Sequence, residues 1–481
     1  MLLLIFTLTY LLFNVGIGFW ASRRVHNSED FVLAGRNLSL PVAATTIFAT
    51  WFGSETIMSS SAEFAEGGFI AVIKDPFGAA LCLFLIGLFF VRPLYRLNII
   101  TVSDYFRIRY NREAELISAA LMSFSYLSWI AAQMVAMGTI LSVLATNADW
   151  NLSVPAAICI SSLLVTAYTL VGGMWAVSMT DFVQSIVIIV GLLVLTVILT
   201  AEAGGLVHIL STQPVGFFSM LPENNPESII SYGEAWILVG LGSIPSQDVF
   251  QRTMSSRSEK TAVRAAYLSA FLYLSIALLP LLIGLCGKNL FPELLIGTDE
   301  EKQMLLPSLV LSHSPVWLQI LFFGALISAI MSTTSGAILA PAAVVTENLI
   351  KPFYPKLKDI KMLLLLRYSV AVIAGLSLWQ ALGGDSIYNL AADSSAMTLV
   401  TLFPALVFGI YWRRASGIAA LYSMLGGFGL WMVYDYVWPE ALWPSVFPAT
   451  LFSIVLLIFL SIAFPNRKGM PSAMKNHNYH K

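Results

Sequence analysis

Phe48–Met58 reads FATWFGSETIM, and Ile237–Arg252 reads ILVGLGSIPSQDVFQR. Each starts as a membrane-length apolar run and is then broken, the first by Gly53, Ser54 and Glu55, the second by Gly240, Gly242, Pro245, Gln247 and Asp248. Hydrocarbon supplies no hydrogen-bonding partners, so a broken helix survives at membrane depth only where it is buried in protein or lines a cavity. Two breaks in corresponding places of two halves point to a site for a small solute near the middle of the bilayer.

The composition around these segments fits that setting. Of 481 residues, 58% are hydrophobic and 11% charged, against about 25% charged in soluble domains. The chain therefore reads as an all-α polytopic membrane protein, with the lipid bilayer as its solvent. A net charge of −1 speaks against a nucleic-acid partner and against a polybasic membrane tether. Cys82, Cys159 and Cys286 all lie in apolar runs with no metal-ligand spacing, which is the pattern of packing residues. No Walker motif, GxGxxG or HExxH occurs, so nucleotide-driven pumping and metalloprotease chemistry lack their parts. No enzymatic activity and no cofactor are expected.

Runs of about 20 apolar residues give thirteen spans, approximately 1–20, 40–62, 69–91, 117–144, 155–174, 182–202, 231–252, 266–287, 316–347, 363–382, 387–411, 417–436 and 445–464. The first begins apolar at residue 1 and ends in Arg23-Arg24. A cleavable signal peptide places its charge first, so this reads as a retained helix. With the N-terminus outside and the C-terminus in the cytoplasm, all but Lys74, Lys288 and Lys302 of the 26 basic residues fall on the inner side, as the positive-inside rule requires. Counting from the second helix, spans two to six and seven to eleven form two five-helix units, each led by a broken segment. Five is odd, so the second unit enters from the opposite side, which makes an inverted repeat. The expected organisation is an extra helix at 1–20, repeat halves at 40–202 and 231–411, two further helices at 417–464 and a cytoplasmic tail at 465–481.

Three groups of polar residues stand out within the apolar runs. Gly172–Gln184, GGMWAVSMTDFVQ, reads either as a turn followed by Thr180 or Asp181 as an N-cap, or as an acid held at the membrane edge on a cation's path. Ser328-Ala-Ile-Met-Ser-Thr-Thr-Ser335 reads either as close helix packing with hydroxyls bonded back to carbonyls, or as part of a cation site. In the second reading a local distortion frees the Ala329 carbonyl beside the Ser332 and Thr333 hydroxyls, and the first break adds the Ala49 and Phe52 carbonyls. Five neutral oxygens suit Na⁺, whereas a carboxylate cage suits divalent ions. Glu55 and Asp248 either accept hydrogen bonds from unwound backbone N–H groups or face a solute. Trp51, Trp129 and Tyr388 either pack or hold an organic cation through their ring faces.

The Gly-Gly…Ala-Val…Thr-Asp…Gln skeleton of residues 172–184 resembles the signature of the sodium:solute symporter family. Ser28-Glu-Asp-Phe-Val-Leu-Ala-Gly-Arg36 is similar to that family's start, and Ala329…Met331-Ser332-Thr333 to its eighth core helix. The likeness runs through nearly the whole chain. It implies a five-plus-five inverted-repeat (LeuT-like) transporter core, Na⁺ as coupling ion and alternating access. It places sodium at Ala49, Phe52, Ala329, Ser332 and Thr333, with Asp181 nearby. Ala49-Thr-Trp51, Leu170-Val-Gly-Gly173, Gly242-Ser-Ile-Pro245, Phe250-Gln-Arg252 and Pro307…Ser314-Pro-Val resemble the high-affinity choline transporter branch. Trp51 and Trp129 match aromatic positions that this branch uses for a quaternary ammonium. Ser246 and Ala79 depart from it at two further aromatic positions. Ser335 and Gly336 stand where some members of the family hold a second sodium.

The expected function is Na⁺-coupled symport of a small organic solute into the cell across the cell (inner) membrane, with an organic amine favoured over an amino acid, sugar or carboxylate. The solute is expected between the breaks, near Trp51, Glu55, Thr56, Asp75, Trp129, Ser246, Gln247, Asp248 and Tyr388. A channel-like uniporter or a membrane sensor on the same fold is the alternative. Oligomeric state is not encoded in any feature of the sequence.

Overall fold

A computed structural model describes residues 2–354, 356, 358–383, 387–438 and 443–466, with the side chains of Val171, Asp299, Glu300, Tyr388, Asn389, Ala391 and Tyr436 left out. The described residues are helical throughout, apart from turns and one isolated bridge between Leu38 and Ser256. The helices used below are α1 (Leu2–Ser22), α2 (Leu40–Trp51), α3 (Ser60–Gly67), α4 (Arg112–Thr146), α5 (Val154–Glu202), α6 (Pro226–Gly240), α7 (Gln247–Met254), α8 (Glu259–Leu290), α9 (Val316–Val344), α10 (Asp359–Ala381), α11 (Ile387–Tyr411), α12 (Gly417–Val437) and α13 (Val446–Ala463).

Their ends follow from short polar signals between apolar runs. Asn111, Ser258 and Ser416 accept the backbone N–H three residues on, and so start α4, α8 and α12, satisfying donors that a helix N-terminus leaves open. Proline occupies the first turn of α2, α5 and α6, where its missing N–H costs nothing. Among the described residues ten helices are long and apolar enough to cross a membrane. The three remaining expected spans fall on shorter or interrupted elements: α2 with the turn after it, the first part of α5 (Val154–Leu170), and α6 with α7.

The link between the expected fifth and sixth spans differs from a simple turn. The helix continues from Val154 to Glu202 and is interrupted only at Gly173, where φ is 50° and ψ −151°. Glycine is needed there: the positive φ penalises a Cβ, and a Cβ would also lie 2.5 Å from the Phe31 carbonyl. Thr180 and Asp181 therefore sit inside a helix and cap nothing. Thr180 donates back to the Ala176 and Val177 carbonyls instead.

The centre of the molecule is α9, every residue of which from Phe322 to Val344 is buried. A helix apolar on all sides with only small hydroxyls needs neighbours all round, and α9 packs on α5, α4, α2, α10 and α1. Helix α1 turns Leu2, Ile5, Leu12, Phe13, Phe19 and Trp20 outward, an exposed apolar face that fits lipid. At the basic end of the bundle, loops are tied together. Leu38 N–H donates to Ser255 O at 3.0 Å and Arg257 N–H to Leu38 O at 3.1 Å. The Arg36 guanidinium donates to Ile99 O at 2.9 Å, and the Gln251 amide to Val32 O at 2.6 Å.

Candidate functional site

The first break is built by a chain that leaves the helix at Phe52 (φ −79°, ψ 76°) and re-enters it after Gly53. Gly53 N–H turns back to Trp51 O at 2.9 Å, so Ala49 O loses its usual helical donor. Helix α9 fills the gap: the Ser332 and Thr333 hydroxyls each lie 3.2 Å from Ala49 O. The Ser332 hydroxyl also meets Asp181 Oδ1, and all of these side chains are fully buried. The structure thus brings Ala49, Ser332, Thr333 and Asp181 together, with Phe52 at the exit of α2 and Ala329 one turn back on α9. One expectation is corrected here. Helix α9 runs regularly through Ala329, so no local distortion frees that carbonyl; the freed carbonyl at the contact is Ala49's.

Asp181 is fully buried, and although no basic residue adjoins it in sequence, one faces it in space: Arg252 from α7, likewise fully buried, at 4.0 Å. That separation is too long for a hydrogen bond. Asp181 Oδ2 and Arg252 Nε and Nη2 have no hydrogen-bond partner among the described residues. A buried polar atom left so costs about 1–3 kcal/mol, more when charged. A bound cation at Asp181 would relieve part of that cost. The surrounding donor set, two hydroxyls, a carbonyl released from its helical bond and one carboxylate, fits a monovalent hard ion such as Na⁺. Among the described residues no three His, Cys, Asp or Glu side chains converge as a divalent cage would need.

The second break separates α6 from α7 across residues 241–246. Gly242 O is freed from its helix and accepts the Thr398 hydroxyl of α11 at 2.7 Å. Between the two breaks lies a cavity of about 970 Å³, counting the space at its mouth. It runs from Trp51 and Asp248 to Glu63 and Lys74.

Aromatic donors fix Asp248, Glu55 and Asp75 in its wall. Trp51 Nε1–H donates to Asp248 Oδ2 at 2.8 Å, and the Tyr126 hydroxyl to Asp248 Oδ1. Trp129 Nε1–H donates to Glu55 Oε1 at 2.8 Å and the Gln133 amide to the same oxygen at 3.2 Å. Asp75 receives the Tyr273 hydroxyl at 2.5 Å and the Ser60 hydroxyl at 2.9 Å. Neither Glu55 nor Asp248 is held by unwound backbone N–H groups, as one reading of the sequence had it.

Of the residues expected at the solute, Trp51, Glu55, Asp75, Trp129, Ser246 and Asp248 line this cavity. Thr56 and Gln247 do not. The Thr56 hydroxyl is buried against Tyr273 Oη at 2.7 Å. Gln247 turns toward the basic end, accepting Val102 N–H at 2.8 Å and donating to Ile100 O at 3.3 Å. Tyr388 lies outside the described side chains. Sequence reasoning missed Tyr126, Gln133, Arg252 and Tyr273. Tyr126, Gln133 and Tyr273 sit on long apolar helices, where little but the tertiary partner marks them; Arg252 carried a signal, as a basic residue on the short polar helix that ends a broken span.

The sodium:solute symporter family model matches residues 31–427. High affinity choline transporter 1 of Homo sapiens is 29% identical over 472 residues, covering 92% of this chain and 79% of that protein. Osmoregulated proline transporter OpuE of Bacillus subtilis is 26% identical over 427 residues, covering 85% and 84%. Among solved structures, a Na⁺-coupled sialic acid symporter in a substrate-bound outward-open state superposes with a TM-score of 0.82 at 18% identity, over 97% of this chain and 98% of that one. The nucleobase-cation-symport-1 family transporter Mhp1, in a closed conformation, gives 0.63 at 16% identity, over 90% and 95%.

Proposed function

The chain belongs to the sodium:solute symporter family, and from that premise we propose that it carries a small organic solute into the cell by alternating access, with Na⁺ bound where the first break meets α9. It is a transporter rather than an enzyme, an integral membrane protein of the LeuT-like fold, and its partners are Na⁺ and a small solute. The halves 40–202 and 231–411 act as the two inverted repeats, with the N-terminus outside. The distribution of Arg and Lys supports that orientation.

One observation carries the cation assignment: a backbone carbonyl freed by a helix break, two hydroxyls and a half-satisfied carboxylate converge in the buried interior. Ala49, Ser332, Thr333 and Asp181 would hold the ion, with Phe52 and Ala329 adjoining. Because these groups come from α2, α5 and α9, an ion that needs all of them favours the arrangement that keeps them together. Coupling then follows from differential affinity for two states, since a ligand shifts an equilibrium only that far. The cavity between the breaks takes the solute.

Reconstitution into liposomes tests this. In a panel of amines, amino acids, sugars and carboxylates that includes choline and proline, for which the relatives are named, uptake of the solute carried is expected to accelerate with an inward Na⁺ gradient and to lose that dependence in Ser332→Ala/Thr333→Ala. Uptake indifferent to the gradient in both proteins would establish the uncoupled uniporter instead.

A further inference from the structure

Resting on the cavity as the solute site, we propose that its substrate is an organic cation bearing at least one N–H, a protonated amine, and that the site discriminates against quaternary ammonium. The argument turns on which polar atoms the protein satisfies for itself.

Asp75 and Asp248 have both carboxylate oxygens engaged by protein donors. Glu55 does not. Its Oε1 takes both Trp129 and Gln133, while Oε2 accepts nothing from the described residues, and the carboxylate borders the cavity. Two more polar atoms are left over in the same wall. The Ser59 and Ser246 hydroxyls are each more than nine-tenths buried, line the cavity and have no hydrogen-bond partner. The wall carries Glu55, Glu63, Asp75 and Asp248 against Lys74. An excess of one sign in a low-dielectric cleft concentrates the opposite charge.

A cation is therefore favoured, and the unsatisfied atoms specify its kind. An ammonium N–H can donate to Glu55 Oε2 in a charge-assisted bond, roughly twice the strength of a neutral one. A hydroxyl or second N–H on the solute can satisfy Ser59 or Ser246. A quaternary head group has no proton to give. It would displace water from Glu55 Oε2 and leave that oxygen unpaired, with the two hydroxyls still unmatched, the situation binding sites penalise most. Quaternary groups rely instead on surrounding ring faces. Here Ser246 and Ala79 open that surround.

The test is a methylation series on the purified full-length protein: 2-aminoethanol, its N-methyl and N,N-dimethyl derivatives, and choline, titrated calorimetrically in Na⁺ and again in K⁺. The three N–H-bearing amines are expected to bind, and removal of the last N–H to weaken binding about tenfold or more. Glu55→Gln is expected to cost the amines more than choline and so narrow the gap. Ser246→Trp, which restores an aromatic wall, is expected to raise choline affinity relative to the amines. Choline binding as tightly as its dimethyl analogue overturns the proposal, and so does absence of binding by the whole series. The same order in K⁺ with unchanged affinities would leave the solute class standing and refute Na⁺ coupling, which keeps the two readings separable.

Discussion

At the scale of single residues, the site is governed by buried atoms with too few partners. Ser332 and Thr333 each spend a hydroxyl on Ala49 O, so Ser332→Ala/Thr333→Ala removes two oxygen ligands while sparing the helix. Na⁺-dependent thermal stabilisation is expected to need at least about tenfold more Na⁺, the equivalent of about 1.4 kcal/mol. Arg252 gives a prediction of opposite sign. Its guanidinium stands 4.0 Å from Asp181 Oδ2 with two nitrogens unbonded, a positive charge competing for the carboxylate that the cation needs. Arg252→Gln is expected to lower stability by about 3–5 kcal/mol, as for other broken buried pairs, and yet to tighten Na⁺ binding. Thermal unfolding against Na⁺ concentration reads both at once. Weaker Na⁺ binding alongside the lower stability would make Arg252 a scaffold only.

At the scale of elements, the second break depends on a close approach of backbones. A Cβ on Gly242 would lie 2.2 Å from Leu238 O and 2.5 Å from Ser395 O, neither of which can move without shifting its helix. Gly242→Ala is expected to cost about 1–3 kcal/mol or more from overpacking, seen as a lowered Tm and weaker solute binding. Gly375 in α10 has nothing within 4 Å of its added Cβ. Gly375→Ala is expected to stabilise by about 0.5–1 kcal/mol, the ordinary helix-propensity gain. Sequence located the break at Gly242 correctly from Gly, Pro and Gln-Asp, but the roles of its flanking residues were split by geometry. Ser246 and Asp248 face the cavity, while Gln247 between them turns to the backbone at Val102 and Ile100.

At the scale of the whole molecule, the cavity reaches Glu63 and Lys74, while the basic end is closed by the Leu38–Ser256 bridge, Arg36, Gln247 and Gln251. Gln247 contributes two bonds to that closure, about 1 kcal/mol each. Gln247→Ala is expected to raise several-fold the maleimide labelling of a cysteine placed by Ser256→Cys, in a background lacking Cys82, Cys159 and Cys286. Na⁺ is expected to suppress that labelling, because an ion favouring the closed inner face depopulates the other state. Labelling unaffected by either change would mean that this seam is not the inner gate.

Hydropathy and charge placement by themselves determined the membrane class, the approximate spans and the two breaks, because lipid imposes its rules locally, on each run of about 20 residues. The Ser-Thr run, the freed Ala49 carbonyl and Asp181 were likewise visible as residues, since hydroxyls and acids in apolar helices are costly enough to stand out. Tertiary structure alone decided who meets whom. It put Arg252 beside Asp181 across 71 positions of sequence, gave Trp51 to Asp248 and Trp129 to Glu55, and left Glu55 Oε2 and the buried hydroxyls of Ser59 and Ser246 unmatched among the described residues of the cavity wall. Those pairings depend on packing between helices that are distant in sequence. No local pattern records which buried polar atom remains unmatched.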